Sequence, residues 1–253
     1  VVEDADVPRP PSDLVVTYVS AQGERVTCDL PSVDVDRLVG GRPVREFAVY
    51  AGQRHYTGLY WCATTGSHLA YESLLERDRM LLADFDPQVV AVAPQPFHAA
   101  GDDEGRRRNR IPDLLLRLVD DGIRVVDVKP ARAAEKPEVA ASFSWMGRVC
   151  ESQGWAYEVW SGCDPTLLAN ARWLARARRP GLVSDEVLAA ALRVGETGTT
   201  FRSAVSQIES AAQCGPGPAR LAVETFLWRG LWSTDLSSPL TPDHVIEPVG
   251  SSA

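Results

Sequence analysis

The 253-residue chain is almost without lysine: Lys129 and Lys136 are its only two, against many arginines. It has no apolar run of membrane-spanning length, which excludes a helical span. Its five cysteines (Cys28, Cys62, Cys150, Cys163, Cys214) are scattered and odd in number, with no CxxC pair. That spacing argues against a disulfide framework and a structural zinc site, so a reducing, cytoplasmic setting is expected. The four histidines, His55, His68, His98 and His244, show neither metal-ligand nor nucleophile spacing, which counts against a Cys/His hydrolase. Net positive charge is also missing. At −8 the chain cannot hold nucleic acid by bulk charge alone, although an acidic, metal-holding site is compatible with that balance. Residues 1–11 are acidic and proline-rich, unlike a signal peptide.

With 45% hydrophobic residues, a buried core is expected, in one large domain or two modest ones. Alternation predicts a hairpin from 13–20 and 24–30, then a strand over 43–50. The stretch 54–61 (Arg-His-Tyr-Thr-Gly-Leu-Tyr-Trp) reads as a loop whose rings pack on the core, with Arg54 and His55 as candidate contacts to a nucleic-acid backbone. An apolar stripe at helical spacing predicts a helix over 67–85, bearing Glu72 and Glu76 one turn apart. A proline-flanked strand over 88–93 is expected at a sheet edge. Residues 101–110 read as a surface loop in which Arg106, Arg107, Arg108 and Arg110 are placed to meet phosphates. A helix over 137–153 ended by Gly154, a strand over 155–160 and a helix from Asp164-Pro165 follow. Three helical patterns (184–194, 199–212, 218–228) and two strand-like pieces (231–236, 245–249) complete the chain, the outline of a winged helix. The expected division is an N-terminal extension with hairpin (1–40), an α/β domain (41–178) and a helical domain (179–253).

The centre of the chain is 110–130. Asp120-Asp121-Gly122 between apolar runs is a hairpin signal. Alternation along the second strand puts Asp127 and Lys129 on one side and Val128 on the other. The hairpin brings Asp113 near the Asp127/Lys129 end. Two carboxylates and an amine at adjoining strand ends suit a divalent metal with an adjacent cation. Asp113 and Asp127 supply carboxylates, the Val128 carbonyl a third oxygen, and Glu76 or Glu72 a helix carboxylate, a hard-oxygen set suited to Mg²⁺. Such an ion neutralises phosphoryl charge, and Lys129 can orient the attacking water.

Pro112-Asp113…Asp127-Val128-Lys129 resembles the PD-(D/E)xK nuclease superfamily. More narrowly, Ser73-Leu-Leu-Glu76, Phe85-Asp-Pro-Gln-Val-Val, Gln95-Pro-Phe97, Pro112-Asp113 and Asp127-Val-Lys129-Pro130 in that order resemble TnsA, the endonuclease subunit of heteromeric transposases. The resemblance covers about residues 54 to 161. It implies an α/β fold with a restriction-endonuclease-like mixed sheet flanked by helices, followed by a winged-helix-like domain. It implies catalytic Glu76, Asp113, Asp127 and Lys129, with Mg²⁺ (Mn²⁺ substituting) on Glu76, Asp113, Asp127 and Val128. Gln95 and Glu72 would line the site. Some TnsA-like proteins carry Gln where this chain has Asp127. The implied activity is hydrolysis at the 5′ side of transposon ends in double-stranded DNA. The implied partners are a TnsB-like DDE transposase and a TnsC-like AAA ATPase. A stand-alone nuclease of the same superfamily, or an assembly module with an idle site, are the competing expectations.

Overall fold

The alternating apolar residues of the first hairpin fold as expected. β1 (Ser12–Val19) pairs antiparallel with β2 (Arg25–Asp29), with Val16 opposite Cys28. The computed structural model describes residues 12–45, 56–194 and 198–250. Two units emerge, one drawn from Val1–Ala83 and Gln88–Gly162, the other from Asp84–Pro87 and Cys163–Ala253.

In the first unit the hairpin leads to α1 (Val35–Val39), whose N-terminal amides are capped by the Asp34 carboxylate. β3 (Gly58–Cys62) and β4 (Ser67–Tyr71) form a two-stranded ribbon. Then come α2 (Leu74–Phe85), β5 (Val89–Pro94), β6 (His98–Asp103), β7 (Arg106–Arg110), β8 (Leu114–Leu118) and β9 (Ile123–Val128). The unit closes with α3 (Ala131–Ala134), α4 (Pro137–Glu151) and β10 (Ala156–Trp160).

Two four-stranded sheets result, ordered β2-β1-β6-β7 and β10-β9-β8-β5. The first is antiparallel throughout; in the second, β9 and β10 run parallel, with α4 between them in sequence. The chain passes from the second sheet to the first through Pro94-Gln95-Pro96, and back through Ile111-Pro112. Proline has no amide hydrogen to give a ladder, so both changes of sheet fall where pairing must stop. Between the sheets and α4 lies a core including Val16, Phe97, Leu115, Val125, Trp145, Met146 and Val149.

Several expectations hold. β5 is an edge strand, the turn at 119–122 joins β8 to β9, and Gly154 (φ +69) follows the end of α4. Others are corrected. The helix expected over 67–85 starts only at Leu74, because Ser73 caps it and the preceding Ser-His-Leu-Ala-Tyr alternates and pairs with β3. The loop expected over 54–61 ends in β3; Arg54 and His55 lie outside the described residues, as does most of the strand expected over 43–50. The loop expected over 101–110 is the β6–β7 hairpin, turned by Glu104 (φ +54) and Gly105 (φ +84), a left-handed pair suited to strand twist. Within the expected 1–40 segment, β1 lies inside a sheet against β6. The first unit ends at Gly162.

In the second unit α5 (Pro165–Leu174) begins at the Asp164 cap, as expected. α6 (Asp185–Val194), β11 (Thr199–Thr200), α7 (Phe201–Ala212), α8 (Pro216–Trp228), β12 (Trp232–Thr234) and β13 (Val245–Pro248) follow. The two expected strands acquire a third, in the order β11-β13-β12. α8 is the central helix, with every residue from Ala222 to Trp228 buried.

Candidate active site

Three elements of the first unit converge on Asp113. The Asp113 amide donates to the Val126 carbonyl at 3.0 Å, and Asp113 Oδ2 accepts from the Val128 amide at 2.6 Å. The Asp113 carbonyl accepts from Gln95 N–H at 2.9 Å. Gln95 is a left-handed residue (φ +42) held between two prolines. Its backbone carbonyl also accepts from Val44 N–H at 3.0 Å. Its side-chain Oε1 is buried and has no partner among the described residues. Gln95 therefore braces Asp113 through its backbone.

Glu76 stands in the first turn of α2. The Glu76 amide donates to Ser73 Oγ at 3.1 Å, and the Ser73 hydroxyl donates to Glu76 Oε1 at 2.8 Å. Glu76 Oε2 accepts from the Glu72 amide at 2.9 Å. This is a reciprocal capping arrangement, and it fixes the direction in which the carboxylate leaves the helix. Glu72 is turned the other way, into an ion pair with Arg45. α2 is in turn tied to β10 by buried Arg79, which grips Glu158 through two hydrogen bonds at 2.9 and 3.2 Å.

Burial is the main cause that pushes the Asp113 carboxyl up to about 7; the Val128 amide works against it, and the charges of Asp127 and Glu76 add to it, while Arg110 offsets part. Burial likewise raises Glu76 above the ordinary carboxylate range, against the hydrogen bonds from Glu72 and Ser73. Asp113 thus lies within electrostatic reach of both Asp127 and Glu76.

The three differ in what they offer. Asp113 accepts one side-chain hydrogen bond, leaving Oδ1 without a donor among the described residues. Glu76 accepts one on each oxygen, so lone pairs are spare on both. Asp127 is wholly buried. Its two oxygens face the Arg110 guanidinium at 2.7 and 2.8 Å, and Oδ2 also accepts from the Tyr157 hydroxyl. Burial, then Asp127 itself, raises the Tyr157 phenol, so it keeps its proton and acts as the donor. Among the described residues no group of three His, Cys, Asp or Glu side chains is drawn together tightly enough to hold a metal ion. The expected shell of Glu76, Asp113 and Asp127 is therefore represented by two available carboxylates and one engaged by a counter-ion. Against a hard cation, the Glu76 and Asp113 pair fits by donor chemistry.

Lys129 follows β9 and is exposed; its amide donates to the Trp160 carbonyl at 2.9 Å, and its side chain has no ion-pair partner among the described residues. Of the expected phosphate contacts, Arg106 and Arg107 are exposed. Arg108 is paired with Asp103, which also holds Arg148 of α4, and Arg110 is held by Asp127. The two less exposed arginines of β7, Arg108 and Arg110, are thus engaged in ion pairs within the fold. Tyr157 was not legible as a site residue, because its role depends on the parallel pairing of β10 with β9, which sets Tyr157 opposite Val125. The helix start at Ser73 was also missed, although the Ser-x-x-Glu spacing is a signal that marks it.

No family model matches the chain, and no curated protein is significantly similar to it.

Proposed function

We propose that the chain is a metal-dependent DNA endonuclease subunit of a heteromeric transposase, hydrolysing a phosphodiester at the 5′ side of transposon ends. The observation that carries this reading is the 2.6 Å hydrogen bond from the Val128 amide to Asp113, which brings Pro112-Asp113 and Asp127-Val128-Lys129 to one end of one sheet. The succession α2, β5, β8, β9, α4, β10 supports it, being a helix, three antiparallel strands, a helix and a parallel strand, as in a restriction-endonuclease-like core.

In this reading Glu76 and Asp113 hold Mg²⁺ or Mn²⁺, with the Val128 carbonyl as a further oxygen ligand. When bound, the ion neutralises charge on the phosphoryl oxygens and acidifies a coordinated water. Lys129, exposed at the end of β9, would orient the attacking water and balance the negative charge that develops on the phosphoryl oxygens. Arg106 and Arg107 meet the phosphate backbone.

The order α6-β11-α7-α8-β12-β13 with a three-stranded sheet is that of a winged helix. Its third helix opens Pro216-Gly217-Pro218-Ala219 without a side-chain donor or acceptor, its first donor, Arg220, is engaged by Glu224 and the Trp173 ring, and it is buried from Ala222 to Trp228. That favours a platform for a protein partner, in this reading the TnsC-like ATPase, over a sequence-reading module. A TnsB-like transposase would cut and join the other strand.

The test is strand cleavage of a transposon-end duplex with Mg²⁺ or Mn²⁺, comparing wild type, Asp113→Ala and Lys129→Ala, each with and without the DDE transposase. Cleavage at the 5′ side that needs the partner and is lost in both variants is expected. Cleavage by the chain alone would favour a stand-alone nuclease, and no cleavage by a folded chain in either condition would overturn the enzyme reading.

A further inference from the structure

The engaged state of Asp127 carries a consequence for the metal shell. A carboxylate has about four lone-pair positions. At Asp127 three donors already occupy them, two from Arg110 and one from Tyr157, and the side chain has no exposure to solvent. Arg110 is itself held from a third side. Its Nη1 donates to Ser142 Oγ at 3.3 Å, and its guanidinium lies 4.3 Å from the centre of the Phe143 ring, both residues being on α4. An ion that took an Asp127 oxygen would leave a largely buried guanidinium without its counter-charge, which is the costly way to break such a pair. Mg²⁺ also keeps several waters, and there is no solvent at Asp127 to supply them.

We propose that Asp127 is not a metal ligand in this chain. It is the buried counter-ion of Arg110, fastening β7 to β9 and α4, and the ion is held by Glu76 and Asp113 without it. The two carboxylates with unfilled oxygens are Asp113, bonded to the end of β9, and Glu76 on α2, whose charge Asp113 feels. The one placed by the Asp-x-Lys spacing is spent on packing. For the ligand half, this inference rests on the nuclease reading; the ion-pair half does not.

The experiment has two arms on the full chain. In the first, Mn²⁺ alone is titrated and followed by its free-ion electron paramagnetic resonance signal. Asp113→Asn and Glu76→Gln are expected to weaken binding at least tenfold, while the combined Arg110→Gln/Asp127→Asn variant stays within about threefold of wild type. A loss in that double variant as large as in Asp113→Asn overturns the proposal. The second arm measures metal-free urea midpoints for Arg110→Gln, Asp127→Asn and both together. Each single change lowers the midpoint, and the double loses clearly less than their sum. A single variant that fails to fold beside a double that folds is the same result in its extreme form. Strict additivity, or an unfolded double beside folded singles, overturns the ion-pair role. If wild type binds no Mn²⁺, the nuclease reading and the ligand half fail together, and the urea cycle still decides the Arg110–Asp127 anchor.

Discussion

Asp113 takes the Val128 amide hydrogen on Oδ2 at 2.6 Å while its own amide donates to the Val126 carbonyl, so its side chain continues the β8–β9 ladder past the last strand residue. The carboxylate is fixed by backbone alone. Among the described residues no cationic side chain bonds it, so burial and the neighbouring acids leave its charge poorly compensated.

The pH dependence of stability follows from that charge. The Asp113 carboxyl is pushed up to about 7 in the folded chain, above its ordinary 3.8. The folded state then binds the proton more tightly than the unfolded state. The stability this confers is fully present below about pH 4 and is lost as pH rises through 7. Thermal unfolding at pH 5, 6, 7 and 8 is expected to show a falling midpoint that flattens in Asp113→Asn. At pH 8 the Asn variant melts a few degrees above wild type, on the order of what 1 kcal/mol gives a domain of this size. A wild-type midpoint unchanged between pH 5 and 8 would count against the buried, repelled carboxylate.

Glu76 serves as cap and as candidate ligand, and two substitutions separate the roles. A glutamine at 76 keeps one acceptor oxygen for the Glu72 amide, and its amide nitrogen can donate to the Ser73 hydroxyl oxygen in exchange for the bond it now accepts, so Glu76→Gln should keep the helix start and stay close to wild type in thermal stability. Glu76→Ala should lose about 1 kcal/mol of capping. Both should lose Mn²⁺ binding to the same degree. Calorimetry on the two variants checks this; retention of binding in Glu76→Gln would remove Glu76 from the ligand set.

Arg79 is buried and finds its counter-charge in Glu158. Glu158→Ala leaves the guanidinium unpaired, and a loss of about 2 kcal/mol is expected, below the usual range for a fully buried pair because Glu158 is partly solvated. Glu158→Gln should cost less. Since this pair holds α2 against β10, the Ala variant should also weaken Mn²⁺ binding at Glu76, although residue 158 is not a ligand. Urea unfolding and a Mn²⁺ titration read both effects.

The arginines of β7 divide by exposure. Replacing Arg106 and Arg107 with serine should reduce the slope of log affinity against log salt on duplex DNA by about 2, one released counter-ion for each phosphate contact. Arg108→Ser breaks the bridge through Asp103 to Arg148 and should lower the melting temperature with that slope unchanged. Fluorescence anisotropy over a salt series distinguishes them.

Local chemistry made much of this readable from the chain. The Asp-Asp-Gly turn, the Asp164 cap before Pro165, Gly154 after α4 and the prolines around β5 act over a few residues, so their outcome is written in adjacent letters. Where expectation failed, the deciding partner was remote. Residues 67–71 have an apolar pattern that suits helix or strand, and pairing with β3 settles it. The arginine run at 106–110 looks like a solvated loop until β6 supplies a ladder and Asp103 beside it and β9 supplies Asp127.

What the sequence by itself determined is the β8–β9 hairpin and the meeting of Asp113 with the end of β9, because a short hairpin leaves those residues no other place to go. Tertiary structure alone decided which acids remain available. Asp127 and Asp113 are equivalent in the motif, but β7 and β10 lay Arg110 and Tyr157 against the first and leave an oxygen of the second without a donor among the described residues. A buried charge must find its counter-charge wherever the packing puts one, and spacing along the chain carries no record of that.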